Sequence, residues 1–396
     1  MCDLREVFIV GAARTPIGAF LGSLKKFTAP DLGGIAIKAA LERAGVTGED
    51  VDEVIMGNVV SAGVGQAPAK QALVKGGIPN TVNSFAVNKV CGSALKAVEL
   101  AAQGIWLEER EIVVAGGMES MSQAPRLMWG AREGIKMGDI TLKDAMIHDG
   151  LWCAFDGQHM GITGEVIAEK FGATREEQDA YAVSSHQKAR HAIEKGYLKE
   201  EIEPVEVPQR KGDPIVFADD EGPRGDASVE KLARLRPVFK KDGTVTAGNA
   251  SSLNDGGSAV VVASADAVKE KGLKPLARIL GSAANALEPK MVMYAPKGAI
   301  EKLLGKVGWD TVDVDLFEIN EAFSSQMVVL VRELGLDREK VNVHGGAVAL
   351  GHPIGATGAR ILITLIYALK HRGLSKGIAA LCLGGGDAIA LAVEIV

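Results

Sequence analysis

Short apolar runs bounded by turn residues alternate along this chain with longer segments whose apolar positions recur every three or four residues. Phe8-Ile9-Val10 reads as a first strand and Asp31 to Ala44 as the helix that follows it. Val51 to Met56 reads as a second strand and Ser93 to Gln103 as a helix of small residues. Ile112-Val113-Val114-Ala115 reads as a buried strand running into Gly116-Gly117, and Ala392 to Val396 is strand-like. Alternation of this kind predicts a layered α/β fold.

The pattern repeats with an offset of 263 residues. Val51-Asp52-Glu53-Val54-Ile55 resembles Val314-Asp315-Leu316-Phe317-Glu318, and the helix start at Gly92-Ser93-Ala94 resembles Gly355-Ala356-Thr357. Each copy then runs through a helix pattern into an apolar strand ending in glycines, Gly116-Gly117 in one and Gly384-Gly385-Gly386 in the other. Two copies of one α/β unit require the middle to be an insertion. That middle has its own texture: Met128-Trp129, Leu151-Trp152, an amphipathic helix from Arg175 to Lys195, and a Pro-, Gly- and charge-rich stretch from Glu200 to Gly225 that reads as surface loop. The predicted division is a first half at 1–118 plus 249–271, a loop domain at 119–248 and a second half at 272–396.

Composition narrows the classes. Hydrophobic residues make up 47% of the 396, so a large core is available, and the 48 glycines form no collagen period or low-complexity tract. A net charge of −6 argues against nucleic-acid or anionic-membrane partners. Cys2, Cys91, Cys153 and Cys382 show neither CxxC pairing nor finger spacing, so no disulfide framework or metal site is expected. No apolar run reaches 18 residues and no secretory or retention signal is evident, so the expected compartment is the cytoplasm.

Four segments carry candidate chemistry. Cys91 stands just before a helix start, where unpaired N–H groups favour a thiolate; otherwise it is a small hydrophobe filling a turn. His352 sits among Gly345, Gly346, Gly351, Gly355 and Gly358 with almost no charge nearby, as a base or as a histidine bonded to backbone. Cys382 ends an apolar strand directly before Gly384-Gly385-Gly386, whose N–H groups can face an oxyanion; its alternative is a core cysteine. In Phe317 to Phe323 a strand meets a helix, with Asn320 or Glu321 as functional groups or caps. Together, two cysteines and a histidine at the ends of predicted strands describe a nucleophile, a base and a second proton carrier.

With these residues on the page, the chain resembles the thiolase family, acetyl-CoA acetyltransferase type, over essentially its whole length. The motifs are Asn88-Lys89-Val90-Cys91-Gly92-Ser93, Asn320-Glu321-Ala322-Phe323, Gly351-His352-Pro353-Ile354-Gly355 and Cys382-Leu383-Gly384-Gly385-Gly386. The resemblance implies two βαβαβαββ halves in five αβαβα layers with an inserted loop domain. It implies Cys91 as the acetyl-accepting nucleophile and His352 as its base. Asn320 would hold a water beside His352, Cys382 would exchange the α-proton, and the N–H of Gly384 would join that of Cys91 in an oxyanion site. Coenzyme A contacts map onto Leu151, His159, Met160, Arg224, Ala247, Ser251, Leu253, Ala322 and Phe323. The resemblance further implies acyl-CoA substrates, no tightly bound cofactor, and a homotetramer or homodimer, with Met121 to Trp129 as a candidate assembly segment. Five basic residues between 231 and 241 are either a phosphate-binding patch or a solvated face.

The chain departs from the family pattern at Ala94, at Lys231, at Asp387-Ala388 and at Met293-Tyr294-Ala295-Pro296, where a smaller Gly-containing stretch is usual. The last two bear on acyl length and rate. A ketoacyl-carrier-protein synthase would lack the second cysteine, a dinucleotide dehydrogenase would show GxGxxG after the first strand, and a serine hydrolase would show GxSxG. A degradative 3-ketoacyl-CoA thiolase of broader chain length and an inactive coenzyme A-binding scaffold remain the alternatives.

Overall fold

The structure is a computed structural model and describes residues 5–134 and 136–396, so Cys2 lies outside the described residues. The first half runs β1 (Val7–Arg14), α1 (Ala29–Ala44), β2 (Glu53–Gly57), α2 (Pro68–Lys75), β3 (Asn83–Val87), α3 (Ser93–Trp106) and β4 (Ile112–Ser120). The insertion follows, with α4 (Met160–Phe171) and α5 (Arg175–Lys195), before β5 (Asn254–Ser264) completes the half. The second half repeats the order as β6 (Ala277–Ala286), α6 (Ala295–Val307), β7 (Leu316–Ile319), α7 (Ser324–Glu333), α8 (Thr357–Arg372), β8 (Lys376–Leu383) and β9 (Asp387–Ile395).

The strands lie in the order β7-β8-β9-β6-β1-β5-β4-β2-β3, and a two-residue strand, Gly18–Ala19, adds to β5. The two sheets implied by the resemblance are therefore one continuous sheet. The seam between β1 and β6 is narrow: among the described residues only Phe8–Arg278 and Ile9–Ala277 pair across it. The third strand of the second half is reduced to a bridge between Phe317 and Val341. There the Asn342 side chain replaces a strand's backbone, since its Oδ1 accepts from Ile319 N and its Nδ2 donates to Ile319 O, both at 2.8 Å.

Five layers result. Helices α3 and α8 lie back to back between the two sheet halves, and one core cluster joins Leu95, Val98 and Ala102 to Ile361, Leu365 and Leu369. Because both faces of α8 meet protein, its residues from Thr357 through Leu369 are buried without interruption, as expected for a helix apolar all round. Helices α1 and α2 cover the outer face of the first half, and α6 and α7 that of the second.

The insertion is held from beneath. The Glu200–Gly225 stretch, expected at the surface, contains a short hairpin (Val205–Val207 with Ile215–Phe217) and two buried carboxylates. Glu201 and Asp220 grip the buried Arg14 of β1, each with a 2.7 Å contact. A buried charge of this kind needs its partners, so these side chains turn inward despite their polar neighbours. Helix α5 spans the predicted residues because Thr174 and Glu177 form a capping box and Gly196 closes it in the left-handed conformation. No helix among the described residues is long and apolar enough to cross a membrane.

Candidate active site

Cys91 is fixed by a strained turn between β3 and α3. Val90 adopts φ +47°, an unusual conformation for a β-branched residue that costs about 1–3 kcal/mol. Its N–H donates to Asn88 Oδ1 at 3.0 Å, while Ser93 Oγ donates to Val90 O at 2.6 Å and accepts from Lys89 N at 2.9 Å. Gly92 is required by contact: a Cβ there would sit 2.3 Å from Leu383 of β8. The nucleophile turn of the first half is thus pressed directly onto the glycine turn of the second. The Lys89–Asp387 ion pair, 2.6 Å, spans the same junction.

His352 follows Gly351, whose φ of +110° and contact with Asn254 admit no side chain. Its backbone N–H donates to Asn254 Oδ1 at 2.8 Å. Thr357 Oγ1 has one proton and donates it to Pro353 O at 2.9 Å, so it accepts from His352 Nδ1 at 2.7 Å. The proton therefore sits on Nδ1, and Nε2 carries a free lone pair without a protein partner. Burial, aided by Arg360, lowers the imidazole pKa to about 3, which keeps it neutral.

The cysteines behave differently from the local expectation. The helix start was expected to lower the Cys91 pKa. Instead burial pushes its thiol up to about 11, with Glu119 adding to the rise, against the pull of the N–H groups of Gly384 and Cys91 itself. Desolvation outweighs a few oriented dipoles. Cys382 is more deeply buried, and desolvation together with the nearby Cys91 raises its thiol pKa further. Its Sγ lies 3.8 Å from Met293 Sδ and 3.7 Å from Gln326 Oε1, within an apolar cluster that includes Val292, Ala322 and Phe323. Asn320 is fully buried at the end of β7, and neither atom of its amide has a partner. Neither Asn320 nor Glu321 caps α7. Glu321 instead accepts from Tyr181, Ser185, Asn342 and the Val348 N–H.

Cys91, His352, Cys382 and Gly384 line one narrow cavity of about 50 Å³, with Ala322 and Phe323 in its wall. It opens into an outer cavity of about 410 Å³ lined by His159, Arg224, Ala247 and Leu253, while Leu151, Met160, Ser251 and Phe323 line both. Every residue assigned from the resemblance except Asn320 thus faces this two-chambered pocket. A wider open groove of about 550 Å³, lined by Lys25, Val207 and Ile215 among others, contains no cysteine or histidine. His159 starts α4, accepts from Gly161 N at 3.0 Å and stacks on Phe239 at 4.7 Å; its burial lowers the imidazole pKa. Arg224 N donates to His186 Nδ1 at 3.2 Å. Ser251 N donates to Ala322 O at 3.0 Å, which ties the segment leading into β5 to the turn after β7. Of the basic stretch, Lys231 pairs with Asp226 and Lys240 with Glu169, leaving Arg234, Arg236 and Lys241 as the remaining exposed cations.

Sequence reasoning missed Thr357, Phe239, Gln326 and Glu119. Glu119, fully buried at the end of β4, accepts from the N–H groups of Val59, Val60 and Gly355 and from Asn58 Nδ2. It ties a loop of the first half to the His352 turn. An acidic residue ending an otherwise apolar strand was the available signal. Among the described residues no cluster of His, Cys, Asp or Glu is arranged to hold a metal.

The chain matches the family described as Thiolase, N-terminal domain over residues 7–266 and Thiolase, C-terminal domain over residues 273–395. It is 53% identical over 389 residues to an acetyl-CoA acetyltransferase of Chromobacterium violaceum, covering 98% of this chain and 99% of that protein. The solved acetyl-CoA acetyltransferase of Bacillus anthracis superposes with a TM-score of 0.97 at 45% identity, covering 99% of both chains. Human mitochondrial 3-ketoacyl-CoA thiolase gives 0.96 at 43%, again over 99% of both chains.

Proposed function

The chain belongs to the thiolase family and is an acyltransferase, and we propose that it interconverts two acetyl-CoA with acetoacetyl-CoA and CoA through an acetyl group carried on Cys91. The observation that carries this reading is the convergence of two thiols, one buried and one half-buried, and an unpartnered, neutral imidazole nitrogen on one cavity.

In the cleaving direction, Cys91 gives its proton to His352 Nε2 as its sulfur attacks the ketone carbon of acetoacetyl-CoA. The carbon–carbon bond breaks, and the electron pair moves to the thioester enolate. Imidazolium His352, with a water held by Asn320, stabilises the enolate oxygen. Cys382 donates its proton to the carbanion carbon, and acetyl-CoA departs. A second CoA thiol returns a proton to the Cys382 thiolate, and its sulfur attacks acetyl-Cys91. The tetrahedral oxyanion is met by the N–H groups of Cys91 and Gly384, and His352 returns its proton to the Cys91 sulfur. Condensation is the same sequence reversed. Neutral resting thiols suit this order, because each thiolate is formed only when a carbonyl or a CoA thiol is in place.

The coenzyme A arm occupies the outer cavity, with Arg224 and the exposed Arg234, Arg236 and Lys241 on the phosphate side. The inner cavity of about 50 Å³ holds a two-carbon fragment, which favours short acyl chains over a broad 3-ketoacyl range. Assembly as a dimer or tetramer, with the exposed Met128 and Trp129 as contact residues, belongs to the same proposal.

Intact-mass analysis after mixing with acetyl-CoA alone tests the reading. A single acetyl adduct on the protein is expected, lost in Cys91→Ala. An adduct that persists in Cys91→Ala, or full turnover by that variant, would remove Cys91 from the mechanism.

A further inference from the structure

Met293 and Tyr294 stand where the family resemblance expects smaller residues, and the structure shows what the larger ones touch. Met293 is 2% exposed and lines the inner cavity, with its sulfur 3.8 Å from Cys382 Sγ. Methionine is normally an adaptable gap filler. Here its segment, Pro289–Tyr294, is braced: the Tyr294 ring stacks on Phe171 of α4 at 4.6 Å, and its hydroxyl donates to Glu333 of α7 at 2.9 Å. Val292, Met160 and Phe323 close the same wall.

We infer that Met293, held by Tyr294, is the stopper that limits the acyl group beside Cys91 and Cys382 to two carbons. This rests on the function proposed above and names the residue that sets its substrate range. Met293 forms the wall of the small inner cavity next to Cys382, on the side where an alkyl tail would extend under this inference. A longer 3-ketoacyl chain must displace a buried thioether whose backbone is pinned on both sides.

The test compares kcat/KM for acetoacetyl-CoA and 3-ketohexanoyl-CoA in the full-length protein and its Met293→Ala and Met293→Leu variants. The wild type is expected to favour acetoacetyl-CoA strongly. Met293→Ala should shift the ratio toward the six-carbon substrate by at least ~10-fold, the order of discrimination that one or two methylenes give in an apolar pocket. Met293→Leu, which keeps the bulk, should stay near the wild-type ratio. Should the alanine variant fail to fold, Met293→Val must move the ratio in the same direction. An unchanged ratio in a folded truncation variant, or a wild type that takes both substrates equally, overturns the role of Met293. A wild type inactive toward acetoacetyl-CoA overturns the proposed function itself.

Discussion

The penultimate residues of β4 and β8 make an instructive pair. Under the 263-residue offset Glu119 corresponds to Cys382, and each pairs with a residue near the start of the next strand, Gly256 and Ala388. Glu119 is saturated: four donors converge on it, and it serves as a joint between loops. The polar contacts of Cys382 are a thioether and an amide oxygen at sulfur contact distances, which on the proposed mechanism leaves its proton for a substrate. On that mechanism, one backbone position, used twice, carries cohesion in one half and chemistry in the other, the proposed reactive copy being the one whose polar atom the fold leaves without a strong partner.

Cys382→Ala breaks the comparison on its chemical side. It should still accept an acetyl group from acetyl-CoA, yet turn over ~10²–10⁴-fold more slowly, the usual contribution of a positioned acid or base. Normal turnover in steady-state assays would require another proton carrier. The structural side is tested by Glu119→Ala, which strands three backbone N–H groups and should cost about 2–4 kcal/mol in denaturant unfolding. Cys382→Ala should cost no more than about 1–2 kcal/mol by the same measurement.

Glu119→Gln sharpens the contrast further. Burial raises the Glu119 carboxyl pKa to about 7, above its range near 4.3 in an unfolded chain. The folded state therefore holds the proton longer, and this residue's contribution to stability falls as pH rises from about 4 to about 7. The glutamine variant should lose that slope in melting curves taken across the window. The smallest expected effect concerns rate. The competent resting pair is neutral Cys91 with neutral His352, present between about 3 and about 11. The kcat/KM for acetoacetyl-CoA at saturating CoA should thus be level from about pH 5 to pH 9, without an inflection near 6.5.

Much of this was legible in the chain. Cys382 ends an apolar run before three glycines, His352 sits in a glycine-rich segment and Cys91 precedes a helix start, and these local patterns suffice to single them out. The repeat was legible because offset positions share strand and helix starts. What was not legible depends on partners far away in sequence. The inward turn of Glu201 and Asp220 follows from Arg14, which no local composition reveals. The direction of the Cys91 shift failed for the same reason: the helix start is local, whereas the burial that raises the pKa is a tertiary effect. Asn342 mimicking a strand is a tertiary arrangement that no periodicity announces.

The two-pair seam between β1 and β6 has a kinetic meaning. The first half must bring β5 back across the insertion to lie between β1 and β4, and neither half holds both thiols of the proposed mechanism. On the proposed mechanism, a molecule with a single ordered half therefore holds no complete acetyl-transfer centre.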